Sequence, residues 1–258
     1  MIALRLFGPV DLRGPEGRVL REVLAQPKRL ALLAYLTAAT PSGFHSRDTL
    51  LALLWPESDQ ERGRAALRQG VYVLRRALGD DAVIACGDSV LGVDLQKIWC
   101  DVVAFDEAAD AGDAEKALAL YRGELLEGFH VSGAQEFERW VDRSRARLSA
   151  RATDLIWRLA DAEERRGDVA RAAHWARRLL TICPEDERVL RRAALLLYRA
   201  GDRVGAVRAC QEFARRLATD YGIEPASETR ALMSVLRTGG PAAPSQAWVD
   251  RSTGAGGP

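Results

Sequence analysis

Hydrophobic and polar positions alternate at the start of the chain, where Ile2, Leu4 and Leu6 predict a β-strand. A Gly-Pro turn then leads into a second short strand around residues 10–12. After another turn, the apolar stretch over residues 19–23 favours a third strand. The chain is therefore expected to begin as a small β-sheet.

Helical spacing replaces this alternation in the next part of the chain and predicts three helices. Pro27 suits the first position of the first helix. The hydroxyl of Ser46 is expected to cap the second. A capping box over residues 58–61 is expected to start the third helix, which ends before Gly79.

Two short apolar runs follow the third helix, at residues 83–86 and 90–93, and flank the turn formers Gly87-Asp88-Ser89. This pattern predicts a β-hairpin. Strands, three helices and a hairpin in this order are the elements of a winged helix-turn-helix.

From Asp101 onward the pattern is helical throughout. A Gly-Asp pair precedes an Ala-rich helical stretch at residues 112, 167 and 201, and the last two pairs are 34 residues apart. That interval is the period of tetratricopeptide repeats. Two or three degenerate helical-hairpin repeats are expected, each of which needs a neighbour to bury its apolar face.

The predicted fold class is an α+β N-terminal winged helix-turn-helix followed by an all-α, tetratricopeptide-like helical repeat domain. We expect the winged helix to occupy residues 1–100 and the helical domain residues 101–238. The Gly- and Pro-rich end, residues 239–258, predicts a flexible tail or linker.

The composition indicates what class of protein this is but does not indicate its function. Of the 258 residues 48% are hydrophobic and the net charge is +1, which suits a folded chain with real cores. No stretch approaches the roughly 20 apolar residues that a membrane span needs, and the N-terminus does not resemble a secretion signal. The chain is expected to be cytoplasmic, associated with the nucleoid, with no membrane partner.

The third predicted helix concentrates basic charge. Residues 59–78 include five arginines, against which stand only Asp59 and Glu61. A local positive stripe is the charge distribution that attracts a phosphate backbone. Gly63 and Gly70 each lower the stability of the helix by about 1 kcal/mol relative to alanine. We interpret Gly70 as a point where the helix approaches a neighbour closely.

An α-helix fits the DNA major groove, where arginine recognises guanine and glutamine recognises adenine. Other arginines would fix the register by contacting phosphates. The same face could be only the solvated side of an amphipathic helix, but the surrounding order of elements favours DNA reading. The predicted base-reading residues are Arg64, Arg68, Gln69 and Tyr72. The predicted phosphate contacts are Arg47, Arg62, Arg75 and Arg76.

Several short motifs follow one another along residues 2–237. They are Leu4-Arg5-Leu6-Phe7-Gly8-Pro9, Arg47-Asp48-Thr49-Leu50, Leu54-Trp55-Pro56, Leu74-Arg75-Arg76-Ala77-Leu78-Gly79, Tyr121-Arg122-Gly123-Glu124-Leu125-Leu126 and Phe137-Glu138-Arg139-Trp140. Because these motifs occur in this order, the chain resembles the antibiotic-regulatory, or SARP-type, activators.

This resemblance implies an OmpR/PhoB-type winged helix followed by a bacterial transcriptional activator domain, which is a helical repeat unit. It implies sequence-specific binding to direct repeats in double-stranded promoter DNA, recruitment of RNA polymerase and side-by-side protomers on DNA. The helix that holds Arg68 and Tyr72 aligns with the recognition helix of that family.

The predicted wing departs from the family pattern. The family's wing carries an aromatic and a basic residue at its tip, whereas Gly87-Asp88-Ser89-Val90 has neither. No lysine or arginine occurs between Arg76 and Lys97. A minor-groove contact by the wing is therefore not expected, and DNA affinity is expected to be weak or to depend on paired protomers.

Two other classes of protein, an enzyme and a scaffold, compete with this interpretation. His45, His130 and His174 are too few and too scattered for a triad or a histidine metal site, so no enzyme and no catalytic, cofactor-binding or metal-binding residue is expected. The stronger alternative is a helical-repeat scaffold for protein–protein contacts without specific DNA binding. Tryptophans of the helical domain would line its groove, although aromatics at their spacing are more typical of a core.

Overall fold

The computed structural model describes residues 1–238, and the predicted tail at residues 239–258 lies outside the described residues. The described chain divides into two compact units, of which the first ends at Ala150 and the second begins at Arg151. The division after Ala150 does not coincide with the predicted domain boundary at residue 100, because the first unit also contains the start of the expected helical domain.

The first unit combines short strands with helices. Its strands are β1 (Ile2–Arg5), β2 (Asp11–Arg13), β3 (His45–Ser46), β4 (Val83–Cys86), β5 (Val90–Val93) and β6 (Ile98–Cys100). Its helices are α1 (Arg21–Leu24), α2 (Pro27–Ala38), α3 (Arg47–Leu54), α4 (Gln60–Leu78), α5 (Asp101–Asp110), α6 (Ala114–Leu120) and the start of α7 (Gln135–Arg166).

The strands form two small sheets. In the N-terminal sheet the order is β2-β1-β6, with β1 antiparallel to β2 and parallel to β6. In the wing sheet the order is β3-β5-β4, all antiparallel, and β4 and β5 make the predicted hairpin. The alternation at the start of the chain places Leu4 and Leu6 in the core, as its pattern predicts.

Two local predictions are wrong. Residues 19–23 do not form a strand: Val19 makes one bridge with Arg13, and the chain then enters helix α1. Helix α4 is capped by Asp59, whose carboxylate accepts from the amide of Arg62 at 2.8 Å, and not by Ser58. The stronger acceptor one residue later sets the start of the helix.

Other local predictions are confirmed. Pro27 stands at the first turn of α2. Ser46 caps α3, since its hydroxyl oxygen accepts from the amide of Thr49 at 3.0 Å. Helix α3 ends at Leu54, just before Trp55-Pro56, and α4 ends at Leu78 before Gly79.

Residues after β6 are tied to the N-terminal sheet. The buried carboxylate of Asp101 accepts from the amides of Leu6 at 2.8 Å and Phe7 at 3.2 Å. The amide of Leu126 donates to the carbonyl of Leu6 at 2.7 Å, which continues the sheet pattern beyond β1. Residues 121–134 are therefore not helical, and the expectation of helix throughout fails there.

The motif around Gly123 fits against the motif around Gly8. A Cβ on Gly123 would lie 2.9 Å from the Cα of Gly8, so only glycine allows this approach. From α7, the guanidinium of Arg145 donates to the carbonyls of Leu125 at 2.8 Å and Leu126 at 2.9 Å. These contacts make residues 1–150 one folded unit.

The second unit is helical within the described residues. It contains the end of α7, then α8 (Val169–Ile182), α9 (Glu187–Arg199), α10 (Arg203–Arg216), a π-helical turn (Leu217–Tyr221) and α11 (Ser227–Thr238). Helices α8, α9, α10 and α11 pack as successive antiparallel neighbours around a core that includes Ala194, Phe213 and Leu232.

The three Gly-Asp pairs act as helix boundaries. Each glycine adopts a left-handed backbone, with φ of +78°, +77° and +81° at residues 112, 167 and 201. Each aspartate then caps the next helix: Asp113, Asp168 and Asp202 accept from backbone amides three residues on. The repeat signal therefore has a direct physical cause, since αL glycine ends one helix and Asp starts another.

Polar contacts hold helix α11 against α9, and the contact between Arg191 and Thr229 is buried. Arg191, with 6% of its surface exposed, donates to the hydroxyl of Thr229 at 3.0 Å. The carboxylate of Glu187 accepts from the amide of Ala226 at 3.1 Å. The last described helix is thereby held in register with the repeat before it.

Candidate nucleic-acid interface

Helix α4 has one buried side and one bare side. Its core stripe includes Leu67, Val71 and Leu74, all fully or almost fully buried. The opposite side carries the predicted base readers. Arg64, Arg68, Gln69 and Tyr72 are all exposed, and Tyr72 has 59% of its surface accessible. The helix thus presents long polar side chains where the sequence predicts them.

The two arginines among these residues are free of the protein's own carboxylates. Neither Arg64 nor Arg68 forms an ion pair within residues 1–238, whereas many arginines elsewhere do, for example Arg147 with Asp106 at 3.0 Å. A guanidinium kept unpaired on a surface retains all its donors for another acceptor. This is the state that a base edge or a phosphate requires.

The predicted phosphate contacts differ in their surroundings. Arg76 is exposed and Arg47 half-buried, and neither has an ion-pair partner in the described chain. Arg62 is exposed and pairs with the helix cap Asp59 at 3.2 Å. Arg75 is half-buried, and its Nε donates to the carbonyl of Val83 at 3.0 Å, which ties α4 to β4. Arg75 is therefore the member of this group with the clearest role inside the domain.

The two glycines of α4 have different neighbours. A Cβ on Gly63 would lie 3.4 Å from Leu51 and 3.8 Å from Ser58, where the start of α4 meets the end of α3. A Cβ on Gly70 would lie 3.6 Å from Leu32, an ordinary van der Waals contact. The close approach expected at Gly70 is therefore not needed there; the tighter packing is at Gly63.

A cavity of about 510 Å³ opens beside the bare side of α4. It lies between the start of α3, the first half of α4 and the turn of the wing hairpin. Residues that line it include Arg47, Arg64, Arg68, Asp48, Asp88 and Ser89. The amide of Arg47 donates to the carbonyl of Ser89 at 2.8 Å, which fixes the turn against α3.

Sequence reasoning missed that the wing turn belongs to this site. The turn carries no basic residue, yet Asp88 and Ser89 line the same cavity as Arg64 and Arg68. The pairing of Ser46 with Val90 across β3 and β5 brings the turn there. Only the short loop between two predicted strands hinted at such a compact wing.

A half-buried aromatic cluster includes His45 of β3. The ring of His45 lies 4.9 Å from that of Tyr35, which in turn lies 5.1 Å from Trp140. Burial lowers the pKa of His45, so the neutral ring is favoured at neutral pH. Trp140 and Trp175 are buried, as the core interpretation of the tryptophans predicts. Trp157 is partly exposed, with the guanidinium of Arg192 over its ring at 4.1 Å.

Within residues 1–238, every helix is too short or too polar to cross a membrane. Residues 102–237, more than half of the chain, match the family model of the bacterial transcriptional activator domain. The chain belongs to this family. The predicted resemblance to SARP-type activators is confirmed, and the family is one of transcriptional regulators, not of enzymes.

A solved structure supports the fold of this bacterial transcriptional activator domain protein. The structure of Mycobacterium tuberculosis EmbR in complex with a low affinity phosphopeptide matches it with a TM-score of 0.59 and 22% sequence identity. The match covers 93% of this chain and 66% of the EmbR chain. It confirms the predicted fold class, a winged helix-turn-helix followed by a helical domain. No curated protein matches the chain in sequence.

Proposed function

We propose that this transcriptional regulator binds duplex promoter DNA through its winged helix, with the bare side of α4 in the major groove. The observation that carries the proposal is the unpaired, exposed state of Arg64 and Arg68 opposite a fully buried stripe. Such a helix fits the major groove, where arginine donates to both acceptors of guanine.

The other side chains divide into two roles in this proposal. Gln69 and Tyr72 extend the reading face toward neighbouring base pairs, since both are exposed on the same side of α4. Arg47, Arg62 and Arg76 neutralise phosphates and fix the register. Arg75 contributes charge near the backbone while its Nε holds β4.

The finer function rests on family likeness. We propose that two protomers bind direct repeats side by side, that the helical domain contacts the other protomer or a partner, and that RNA polymerase is recruited. The proposed location is the cytoplasm, at the nucleoid, with the winged helix at 1–100 and the activator domain at 101–238. No catalytic step is proposed.

Selection from a random duplex library tests DNA binding by the full chain. We expect enrichment of one sequence, present as two copies in the same orientation. We also expect the affinity to fall steeply as the salt concentration rises, because phosphate contacts release counterions. Genome-wide mapping of bound DNA would then give the natural sites and their spacing. No enrichment, and no salt-dependent binding to any duplex, would favour the scaffold alternative.

A further inference from the structure

The wing turn brings a carboxylate to the cavity beside α4. Asp88 lines the cavity together with Arg47, Arg64 and Arg68, and it is exposed. None of these four side chains makes an ion pair within 4.0 Å in the part of the chain that the structure describes. The carboxylate therefore lies beside the arginines without neutralising them.

The position of Asp88 is fixed by the backbone of the wing. Gly87 has a left-handed φ of +59°, which makes the tight turn, and the carbonyl of Ser89 accepts from the amide of Arg47 at 2.8 Å. The pairing of β4 with β5 holds the turn from the other side. The backbone that carries Asp88 is thus held beside the cavity on a short turn.

Asp48 also lines the cavity, but its charge has a favourable partner in the helix. It lies in the first turn of α3, where the helix dipole stabilises a carboxylate. Asp88 lies in the wing turn, outside any helix, and its carboxylate forms no ion pair in the described chain. An approaching phosphate therefore meets this carboxylate as well as the arginines that line the cavity.

We propose that Asp88 is a residue of the DNA interface that limits its affinity for duplex DNA. Its carboxylate repels the phosphate backbone and so lowers the affinity for duplex of any sequence. Base contacts from α4 then decide which sites are occupied, because non-specific binding consists almost entirely of phosphate contacts. This inference rests on the proposed DNA-binding function.

The test compares the wild-type chain with Asp88→Asn, which removes the charge and keeps the size of the side chain. Binding is followed by fluorescence anisotropy with two labelled duplexes: the sequence enriched from the random library, and a scrambled duplex of equal length and composition. Asp80→Asn is the matched control, since Asp80 is exposed and does not line the cavity. Circular dichroism checks that both variants fold.

For Asp88→Asn we expect affinity for the scrambled duplex to rise about three- to tenfold at about 50 mM salt, and the gain to shrink as salt screens the charge. Affinity for the enriched duplex rises by a similar factor, so the specificity ratio stays level. Asp80→Asn leaves both affinities unchanged.

Three results would overturn the inference. One is an unchanged affinity of Asp88→Asn for both duplexes, and another is an equal gain in Asp80→Asn. The third is a loss confined to the enriched duplex, which would make Asp88 an acceptor for a base such as cytosine. If the wild-type chain binds neither duplex at any salt concentration, the proposed DNA-binding function itself fails.

Discussion

Arg68 and Arg76 lie on the exposed side of the same helix, yet they are expected to contribute differently to binding. Arg68 lies in the half of α4 that lines the cavity, close to the start of α3. Arg76 lies in the last turn, where a basic side chain also suits the helix dipole. The first position favours contact with base edges and the second favours contact with the phosphate backbone.

Arg68→Ala is expected to cost about 1–3 kcal/mol on the selected site and to relax preference at one base position. Arg76→Ala is expected to weaken all duplexes alike and to reduce the salt slope by about one unit. Quantitative binding to the selected site and its single-base variants measures both. Arg18→Ala is the control, because Arg18 is exposed in the described chain and lies outside α4. Unchanged base preference in Arg68→Ala would contradict the reading role.

At the scale of elements, local chemistry was predicted from sequence better than pairing between distant segments. Ser46, Pro27 and the Gly-Asp pairs act within a few residues, so their signals are visible in the sequence itself. The strand predicted at residues 19–23 is wrong because a short apolar run does not distinguish a strand from a buried helix. The exposed side of α4 is predictable from the helical period of its apolar residues alone.

Long-range contacts explain what could not be predicted. Strand β6 and residues 124–126 exist as sheet neighbours only because β1 lies beside them. The acceptor role of Asp101 for Leu6 and Phe7 is likewise invisible to local periodicity. The place of Asp88 in the site depends on how the wing folds against α3, and no spacing rule contains that information.

The helix caps of the repeats give a prediction at this scale. Asp202→Ala removes the acceptor for the amide of Gly205 and is expected to destabilise the second unit by about 1 kcal/mol. Asp202→Asn is the matched control, since asparagine caps a helix about as well but lacks the charge that pairs with Arg177. Urea unfolding of the full chain measures the free energies. Equal stability of all three proteins would contradict the capping role.

The difference in stability between the wild type and Asp202→Asn is expected to depend on pH. The hydrogen bond from Arg177 and that from the amide of Gly205 lower the pKa of Asp202 below its ordinary value of 3.8. The charge therefore stabilises the fold above that value, and this stabilisation is lost as pH falls through the lowered pKa. Any advantage of the wild type over Asp202→Asn should be constant near neutral pH and should disappear only below about 3.8.

At the scale of the whole molecule, the division of the chain after Ala150 changes what a minimal DNA-binding fragment must contain. A fragment of residues 1–100 lacks Asp101, so the amides of Leu6 and Phe7 lose their buried acceptor. It also lacks the segment whose Leu126 amide donates to Leu6. A fragment of residues 1–150 keeps these contacts and the Arg145 bonds that hold that segment.

The fragment 1–150 is therefore expected to melt cooperatively and to bind the selected duplex, while 1–100 is expected to be several kcal/mol less stable or unfolded. The physical reason is that each buried amide without an acceptor costs about 1–3 kcal/mol. Asp101→Ala in the full chain separates the effect of this carboxylate from the effect of chain length. This variant should lower the melting temperature of the first unit while leaving the sequence of α4 unchanged. Circular dichroism and anisotropy with the selected duplex measure folding and binding together. If 1–100 melts as cooperatively and at the same temperature as 1–150, the segment from Asp101 to Ala150 is dispensable for the winged helix, and the boundary at residue 100 describes the folding unit after all.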